Sequence, residues 1–425
     1  MSSLIDFISF KDAGVFTILI GAITVSISSA LIGTFTFLRK KALVGDAVSH
    51  SVLPGICLAF LISGEKDPVL MVLGAFLSGW ISVFFIDFIV SRSKIKADSA
   101  ISITLSFFFA LGAVMLSYIQ NSGNANQSGI NHFLFGKAAA ITDADFRVFL
   151  YVFGIILLFT LIYFKKFVTV CFNEDYAKSI GWNVKRVDFV MSSLTVLVIA
   201  SGIQTVGVVL MAALLITPPG AAAFWTHNIK KMIVLGLVIS VFSSFMGTYV
   251  SYIRPNMPTG PWIVFFLSLV AIFSVLFSPK GILKRFWNNR KNKRKIRNEN
   301  LLKTAYKLTF EKKLNTFTRK DIITRRDYET SSMEKGLNVL KSKGLLRESK
   351  DGLQLTQQGI EESKRIVRLH RLWELYLTNK MNFKSDHIHG MAETIEHIIT
   401  PEIEAKLIAE LDFPEKDPHD SIIPS

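Results

Sequence analysis

Nine apolar stretches, each about as long as a membrane-spanning helix, dominate the chain. The hydrocarbon core of a bilayer needs about 20 apolar helical residues, and each stretch is close to that length. Half of the 425 residues are hydrophobic, and they come in blocks rather than at the periodic spacing of a soluble helix. The stretches are residues 13–38, 43–62, 68–91, 98–119, 146–165, 188–204, 207–226, 232–253 and 259–278. We therefore predict an all-α polytopic membrane protein with about nine transmembrane helices.

Lysine and arginine in the short loops give the orientation, because cytosolic loops of membrane proteins carry an excess of both. Basic residues follow the first, third, fifth and seventh spans, whereas the intervening loops are poor in charge. Odd-numbered spans therefore end in the cytosol. The basic run 280–298, with nine cations and no carboxylate, follows the ninth span and is expected inside. We predict a multi-pass membrane protein with its C-terminal region in the cytosol.

Beyond the basic run the composition becomes that of a soluble domain. We predict helices over 299–310, 319–324 and 330–343, followed by a small hairpin with its turn at Lys350, Asp351 and Gly352. Three helices and a hairpin make a winged helix-turn-helix. The expected organisation is a transmembrane domain in 1–281, a linker in 282–298, a winged helix-turn-helix in 299–366 and a further helical domain in 367–425.

The second span holds a carboxylate and an imidazole four residues apart. On a helix Asp46 and His50 share a face, so both side chains could reach one ion. Ionisable groups inside a membrane usually face a polar cavity, and this pair of ligand types suits zinc, manganese or iron. From the spacing alone, an interfacial Asp46 with a hydrogen-bonded His50 is an equally good reading. Pro54 just beyond them would break or bend the helix.

This part of the chain resembles the permease family of zinc, manganese and iron ABC transporters. The resemblance covers essentially all of 1–281. It is carried by RKKALVGDAVSHSVLPG at 39–55, HFLFG at 132–136, LLITPP at 214–219, PTGPWIV at 258–264 and FSPKG at 277–281. The resemblance implies a homodimeric importer of a divalent transition metal, served by a separate ATPase subunit and an extracytoplasmic metal-binding protein. It also places Asp46 and His50 at the metal pathway.

The loop after the fifth span is amphipathic and partly helical. By itself it could be a solvated connection, but the resemblance implies the short coupling helix that docks into the ATPase. The residues concerned are Glu174, Asp175, Ala177, Gly181 and Trp182. We expect no ATP site in this chain, because Gly136 and Lys137 are followed by Ala138 where a Walker A motif requires serine or threonine. The chain is thus expected to be a permease subunit and not an enzyme.

A second set of metal-ligand residues lies near the C-terminus. His370 and Glu374 stand four residues apart, and four further residues share roughly one helical face: His389, Glu393, Glu396 and His397. A charged helix surface could supply any one of them. Imidazoles and carboxylates at this spacing together favour a transition-metal site.

Residues 299–425 resemble the iron- and manganese-dependent repressors. The resemblance rests on Tyr306, the helix-turn-helix, the ligand-type residues above and the closing segment 418–424. It implies that 367–425 is a metal-binding and dimerisation domain. In that domain Glu393, Glu396 and His397 would belong to the primary metal site, and His370, Glu374 and His389 to the ancillary site. Glu393 stands where manganese-type members have glutamate, which favours manganese. In contrast, Asn300 and Lys303 replace two primary-site ligands, and a protonated lysine cannot bind a metal.

These observations favour a metal-importer permease with a cytosolic metal-sensing domain. A membrane-tethered, metal-dependent transcription regulator is the main alternative, because residues 299–371 carry 17 basic and 10 acidic side chains and could bind DNA. A proton-coupled transporter is less well supported, since the spans contain few carboxylates.

Overall fold

The computed structural model describes residues 13–121, 141–253, 257–326, 328–381 and 399–411, together with Phe7, Ser9, Pro414 and 422–424. The chain divides into two compact units, Met1–Lys284 and Arg285–Ser425.

The described part of the first unit is built from helices α1 to α11. In chain order these are α1 (Ala13–Leu38), α2 (Ala42–Ser51), α3 (Leu53–Ser63), α4 (Pro68–Arg92), α5 (Ala97–Asn121), α6 (Asp143–Phe172), α7 (Glu174–Ser179), α8 (Val184–Val206), α9 (Val208–Ala223), α10 (Ile229–Ile253) and α11 (Thr259–Phe277). Within the described ranges, eight helical stretches are long and apolar enough to cross a membrane, α2 and α3 counting together as one. The remaining predicted span, 207–226, corresponds to the shorter α9. The prediction of a helical membrane protein with about nine spans is confirmed.

Two interruptions fall where the sequence predicts them. Val52 separates α2 from α3, and Pro54 occupies the first turn of α3. Proline has no N–H group, so the carbonyl of His50 receives no hydrogen bond from the residue four positions later. Gly207, with a φ of +87°, separates α8 from α9. The second interruption divides the long uncharged stretch 189–226 into two helices. It falls at Gly207 because only glycine adopts this backbone conformation readily.

The helices approach most closely at glycines. A Cβ atom on Gly55 of α3 would collide with the carbonyl oxygen of Gly74 on α4, and one on Gly74 would collide with the carbonyl oxygen of Gly55. Gly33 of α1 meets the backbone of Leu215 on α9 in the same way. Small residues are typical of such contacts, because helices in a membrane associate through close packing rather than through the hydrophobic effect.

The second unit contains the predicted winged helix-turn-helix. Its elements are α12 (Ile282–Tyr306, beginning just before the unit boundary), a π-helical turn (Lys307–Glu311), α13 (Arg319–Arg325), α14 (Thr330–Ser342), β1 (Leu346–Ser349), β2 (Gly352–Leu355), α15 (Gln357–Met381) and α16 (Pro401–Glu410). The two strands pair antiparallel, with Leu346 opposite Leu355. Leu301, Ile322 and Leu337, from the three helices of the motif, share one core with the hairpin.

One helix of this unit begins earlier than predicted. We expected a helix from residue 299 after a linker over 282–298, but α12 runs without interruption from Ile282 to Tyr306. The stretch contains neither glycine nor proline, and its lysines and arginines are good helix formers. The basic segment is therefore helical.

The contact between Gly55 and Gly74 gives a prediction about stability. Gly55→Ala should destabilise the folded chain by about 1–3 kcal/mol, because neither backbone can give way without moving a whole helix. The thermal unfolding midpoint of the full-length chain in detergent should fall accordingly. Gly154→Ala on α6 is the matched control, since no atom lies within 4 Å of its added Cβ. Equal midpoints for the two variants would contradict the prediction.

Candidate metal pathway and cytoplasmic coupling site

Asp46 and His50 lie on the same face of α2. The His50 Nε2 and Asp46 Oδ1 atoms are 3.9 Å apart, with side chains 21% and 45% exposed. This separation is too long for a direct hydrogen bond. Two ligand-type groups on one helical face that do not hydrogen-bond to each other leave their lone pairs available to an ion. The structure thus brings the two predicted residues together.

His50 has further unused binding capacity. Its Nδ1 atom is buried and has no hydrogen-bond partner. The edge of Phe109 on α5 packs against the imidazole, with ring centroids 5.3 Å apart. Burial of a ring nitrogen without a partner is unfavourable in a resting protein. The Nε2 atom, which is the ring nitrogen nearest Asp46, is the one that could bind an ion together with that carboxylate.

The pair is not a complete metal site by itself. Among the described residues, no three histidine, cysteine, aspartate or glutamate side chains lie close enough together to hold a metal ion. A structural zinc site uses four protein ligands, whereas a transported ion must also leave. Two protein ligands suit an ion that passes through.

The short helix α7 is set against the ends of two long helices. The Asn173 side chain accepts a hydrogen bond from the Tyr176 N–H group and thereby caps α7. Ala177 is fully buried beneath the helix. Beyond α7, Gly181 has a φ of +82°, and the Trp182 N–H group donates to the Ala177 carbonyl.

The outer side of α7 remains accessible. Asp175 and Tyr176 are exposed, and Glu174 is partly exposed. Among the predicted coupling residues, Ala177 thus holds α7 against the unit, and Trp182 packs against the same core. Asp175 faces outward. A helix with one anchored side and one free side has the form expected of a docking element.

Glu174 forms ion pairs on both sides. Its carboxylate lies 3.0 Å from Lys178 Nζ and 3.3 Å from Arg39 Nη1. The hydrogen bond from Lys178, and then the one from Arg39, hold the pKa of Glu174 below its ordinary value. Glu174 is therefore charged at neutral pH.

Arg39 connects α7 with two other elements, a role that neither its place in a basic loop nor its place in the motif at 39–55 predicted. It donates to the Val170 carbonyl at 3.2 Å and to Asp188 Oδ2 at 2.6 Å, besides its contact with Glu174. Burial lowers the pKa of Arg39, but Asp188 and Glu174 outweigh this effect and raise it. The only sequence signal was a cation and two carboxylates at the ends of separate helices.

In the second unit, His370 and Glu374 lie together on α15. The His370 Nε2 and Glu374 Oε1 atoms are 2.9 Å apart, and both side chains are buried. Asn300 and Lys303 on α12 are buried too, and the Asn300 Oδ1 atom has no hydrogen-bond partner. Imidazole and carboxylate donors fit a divalent transition metal. The remaining predicted ligands, His389, Glu393, Glu396 and His397, lie outside the described residues.

Comparison with known proteins agrees with both units. Residues 12–278 match the ABC 3 transport family, and residues 356–425 match the family described as "Iron dependent repressor, metal binding and dimerisation domain". The manganese transport system membrane protein MntC of Bacillus subtilis (strain 168) is 35% identical over 87% of this chain and 86% of its own length. The zinc transport system membrane protein TroC of Treponema pallidum (strain Nichols) is 34% identical over 66% of this chain and 95% of its own length.

A solved structure shares the fold of the first unit. PsaBC from Streptococcus pneumoniae, in complex with Fab, matches with a TM-score of 0.59 and 33% identity, over 65% of this chain and 97% of that one. The family match covers more than half of the chain, and the apolar helices of the structure agree with it. The protein described here is a multi-pass membrane protein that belongs to the ABC 3 transport family.

Proposed function

We propose that the chain is the permease subunit of an ATP-driven importer of a divalent transition metal, with manganese favoured over zinc and iron. The observation that carries the proposal is the pair Asp46 and His50, whose nearest side-chain atoms lie 3.9 Å apart on one face of the second span. The names of the manganese and zinc relatives support the same class of substrate. The metal is the cargo of this site and not a resident cofactor.

The permease works in a larger assembly. Two copies of the chain form the translocation path, and a separate ATPase subunit docks on the exposed side of α7. An extracytoplasmic metal-binding protein delivers the ion. Closure of the ATPases on ATP moves α7 and alternates access to Asp46 and His50. The assembly lies in the bacterial plasma membrane.

The second unit is the regulatory part of the proposal. Residues 299–425 lie in the cytosol and bind the transported metal through His370, Glu374, His389, Glu393, Glu396 and His397. The match of residues 356–425 to a metal-binding and dimerisation domain supports this role. Binding there slows the importer when cytosolic metal is already plentiful.

A membrane-tethered transcription regulator is not favoured. Residues 12–278 match a transport family, and a manganese transport protein aligns with 87% of the chain. Both matches concern transport proteins. DNA binding by the winged helix is therefore secondary in this proposal.

The metal pathway is tested at the pair itself. Asp46→Asn and His50→Ala should each reduce metal affinity by about 1–3 kcal/mol. The first variant removes the carboxylate charge from the pair of ligands, and the second removes the imidazole lone pair. Manganese uptake by cells at limiting metal should fall roughly 5- to 150-fold at equal membrane abundance. His227→Gln serves as the control, because it also changes a histidine of the first unit. His227 lies near the end of the seventh predicted span beside Lys280 and is not part of the proposed pair. Uptake at the control level by both variants would contradict the assignment.

The division of labour with an ATPase is tested at α7. The purified chain alone should hydrolyse no ATP above background in liposomes. Tyr176→Ala should weaken co-purification of the partner ATPase by about 1–2 kcal/mol, because exposed aromatic residues commonly anchor such interfaces. Tyr151→Ala on the exposed face of α6 is the matched control. ATP hydrolysis by the chain alone would refute the proposal.

The regulatory role is tested in cells whose internal manganese is varied. Manganese uptake by the full-length chain should slow by roughly 5- to 150-fold as the internal manganese concentration rises, because allosteric coupling between two sites is typically about 1–3 kcal/mol. The full-length variant Glu393→Gln with His397→Ala, and a chain truncated after Arg297, should both lose this response. If all three slow equally, the second unit is not the sensor.

A further inference from the structure

Arg39 lies in the connection between α1 and α2, at a place where it contacts three further helices of the first unit. It follows the last residue of α1 and precedes α2, the helix that carries Asp46 and His50. Its guanidinium group reaches the carbonyl of Val170 at the end of α6, the carboxylate of Glu174 on α7 and the carboxylate of Asp188 on α8. The Arg39 side chain thus links α7 to the short loop that leads into α2.

The grouping is held firmly on the side of α8. The Arg39 side chain is only 12% exposed, and its shortest contact is the 2.6 Å hydrogen bond to Asp188 Oδ2. The same oxygen lies 3.5 Å from Lys41 Nζ, so one carboxylate contacts two cations of the connection between α1 and α2. A planar guanidinium group with several donors can hold such acceptors at fixed angles, whereas an ammonium group cannot.

The connection between α1 and α2 is itself stiff. The Arg39, Lys40 and Lys41 N–H groups donate to carbonyls of the last turn of α1, and Lys40 adopts a φ of 57°. A residue other than glycine seldom adopts this conformation, and it persists only where the surroundings hold it. The Val44 N–H group in the first turn of α2 donates to the Lys41 carbonyl, so the short connection is hydrogen-bonded to both helices.

We propose that Arg39 is the positioning residue that transmits movement of α7 to α2, and thereby to Asp46 and His50. The inference rests on the proposed role of α7 as the ATPase-docking helix. Glu174 connects Arg39 to the moving helix α7, and Asp188 keeps the guanidinium group in place between successive movements of α7. Arg39 contacts neither ATP nor the transported ion.

A purely structural role would give a different result. If Arg39 only held the fold together, its loss would reduce the amount of assembled complex, and transport and ATP hydrolysis would fall in proportion. A transmitting residue separates the two activities, because the ATPase still docks and hydrolyses ATP while access to the metal pair no longer alternates. The ratio of metal transported to ATP hydrolysed is therefore the decisive measurement.

The experiment uses the full-length chain with its ATPase and metal-binding protein in liposomes, with manganese(II) as the probe. The variants are Arg39→Gln, Arg39→Lys, Asp188→Asn and the double variant Arg39→Gln with Asp188→Asn. Lys94→Gln, in the connection between α4 and α5, is the control, because it removes a cation from another connection between two helices, where the side chain is exposed. For each complex we measure bound ATPase, ATP hydrolysis, and the maximal rate and KM of manganese transport.

We expect Arg39→Gln to lower the manganese transported per ATP by about two- to thirtyfold, the usual effect of changing a residue along a coupling path. Bound ATPase, ATP hydrolysis and KM should stay near the values of the control. Arg39→Lys should give an intermediate ratio of manganese transported to ATP hydrolysed, because it keeps the positive charge but loses the planar guanidinium group with its several donors. Asp188→Asn should act in the same direction, and the double variant should be no worse than the more damaging single one.

Other outcomes overturn the inference. It fails if the Arg39 variants transport like Lys94→Gln, if the two single effects multiply, or if Arg39→Gln loses the ATPase, since Arg39 would then belong to the docking surface. Where Arg39→Gln does not reach the membrane, Arg39→Lys with Asp188→Asn completes the same cycle. Failure of the wild-type complex to transport, or normal transport by Asp46→Asn, would instead refute the proposed function.

Discussion

The lack of water in the hydrocarbon core is the constraint on which the rest of the structure depends. Every backbone N–H and C=O group must find a partner within the protein, so the described membrane segments are helices. An interruption is tolerated only where it is covered by protein or lines a polar cavity. The interruption at Val52 satisfies this condition, because Val52, Leu53 and Pro54 are all buried. The close contact of Gly55 with α4 holds the interrupted span against its neighbour, just beyond the turn that carries His50.

The same constraint explains why the two charged groupings of the first unit differ. Arg39 and its carboxylate partners lie at helix ends and contact one another at hydrogen-bonding distance. Asp46 and His50 do not bond directly, since their nearest side-chain atoms are 3.9 Å apart. A grouping whose members bond each other suits the transfer of force. One that keeps binding capacity suits an ion that arrives and leaves, because no internal bond has to break first.

Much of the fold could be predicted, because apolar blocks and the charge at their ends are local properties. The pairing of Asp46 with His50 was predictable for the same reason, since one helical turn joins them. The Arg39 grouping was not, because its partners Val170, Glu174 and Asp188 are 131, 135 and 149 residues away in the chain. Contacts at such separation depend on how helices pack, which residue type and spacing do not encode. The early start of α12 was missed because a dense run of cations is compatible with both a linker and a helix.

Lys303 bears on how a sensing domain in an importer would be tuned. It is buried in α12, at a position where the resemblance to manganese-type repressors implies a ligand. A protonated lysine there would lower the affinity for a divalent cation through repulsion, and in either protonation state a carboxylate donor is lost. A brake on import, as proposed for the second unit, is useful only when the cytosolic metal concentration is already high. Metal can slow the importer only by as much as it prefers the slowed arrangement. A metal site weakened by Lys303 would fit such a brake, because it would fill only at high metal concentration.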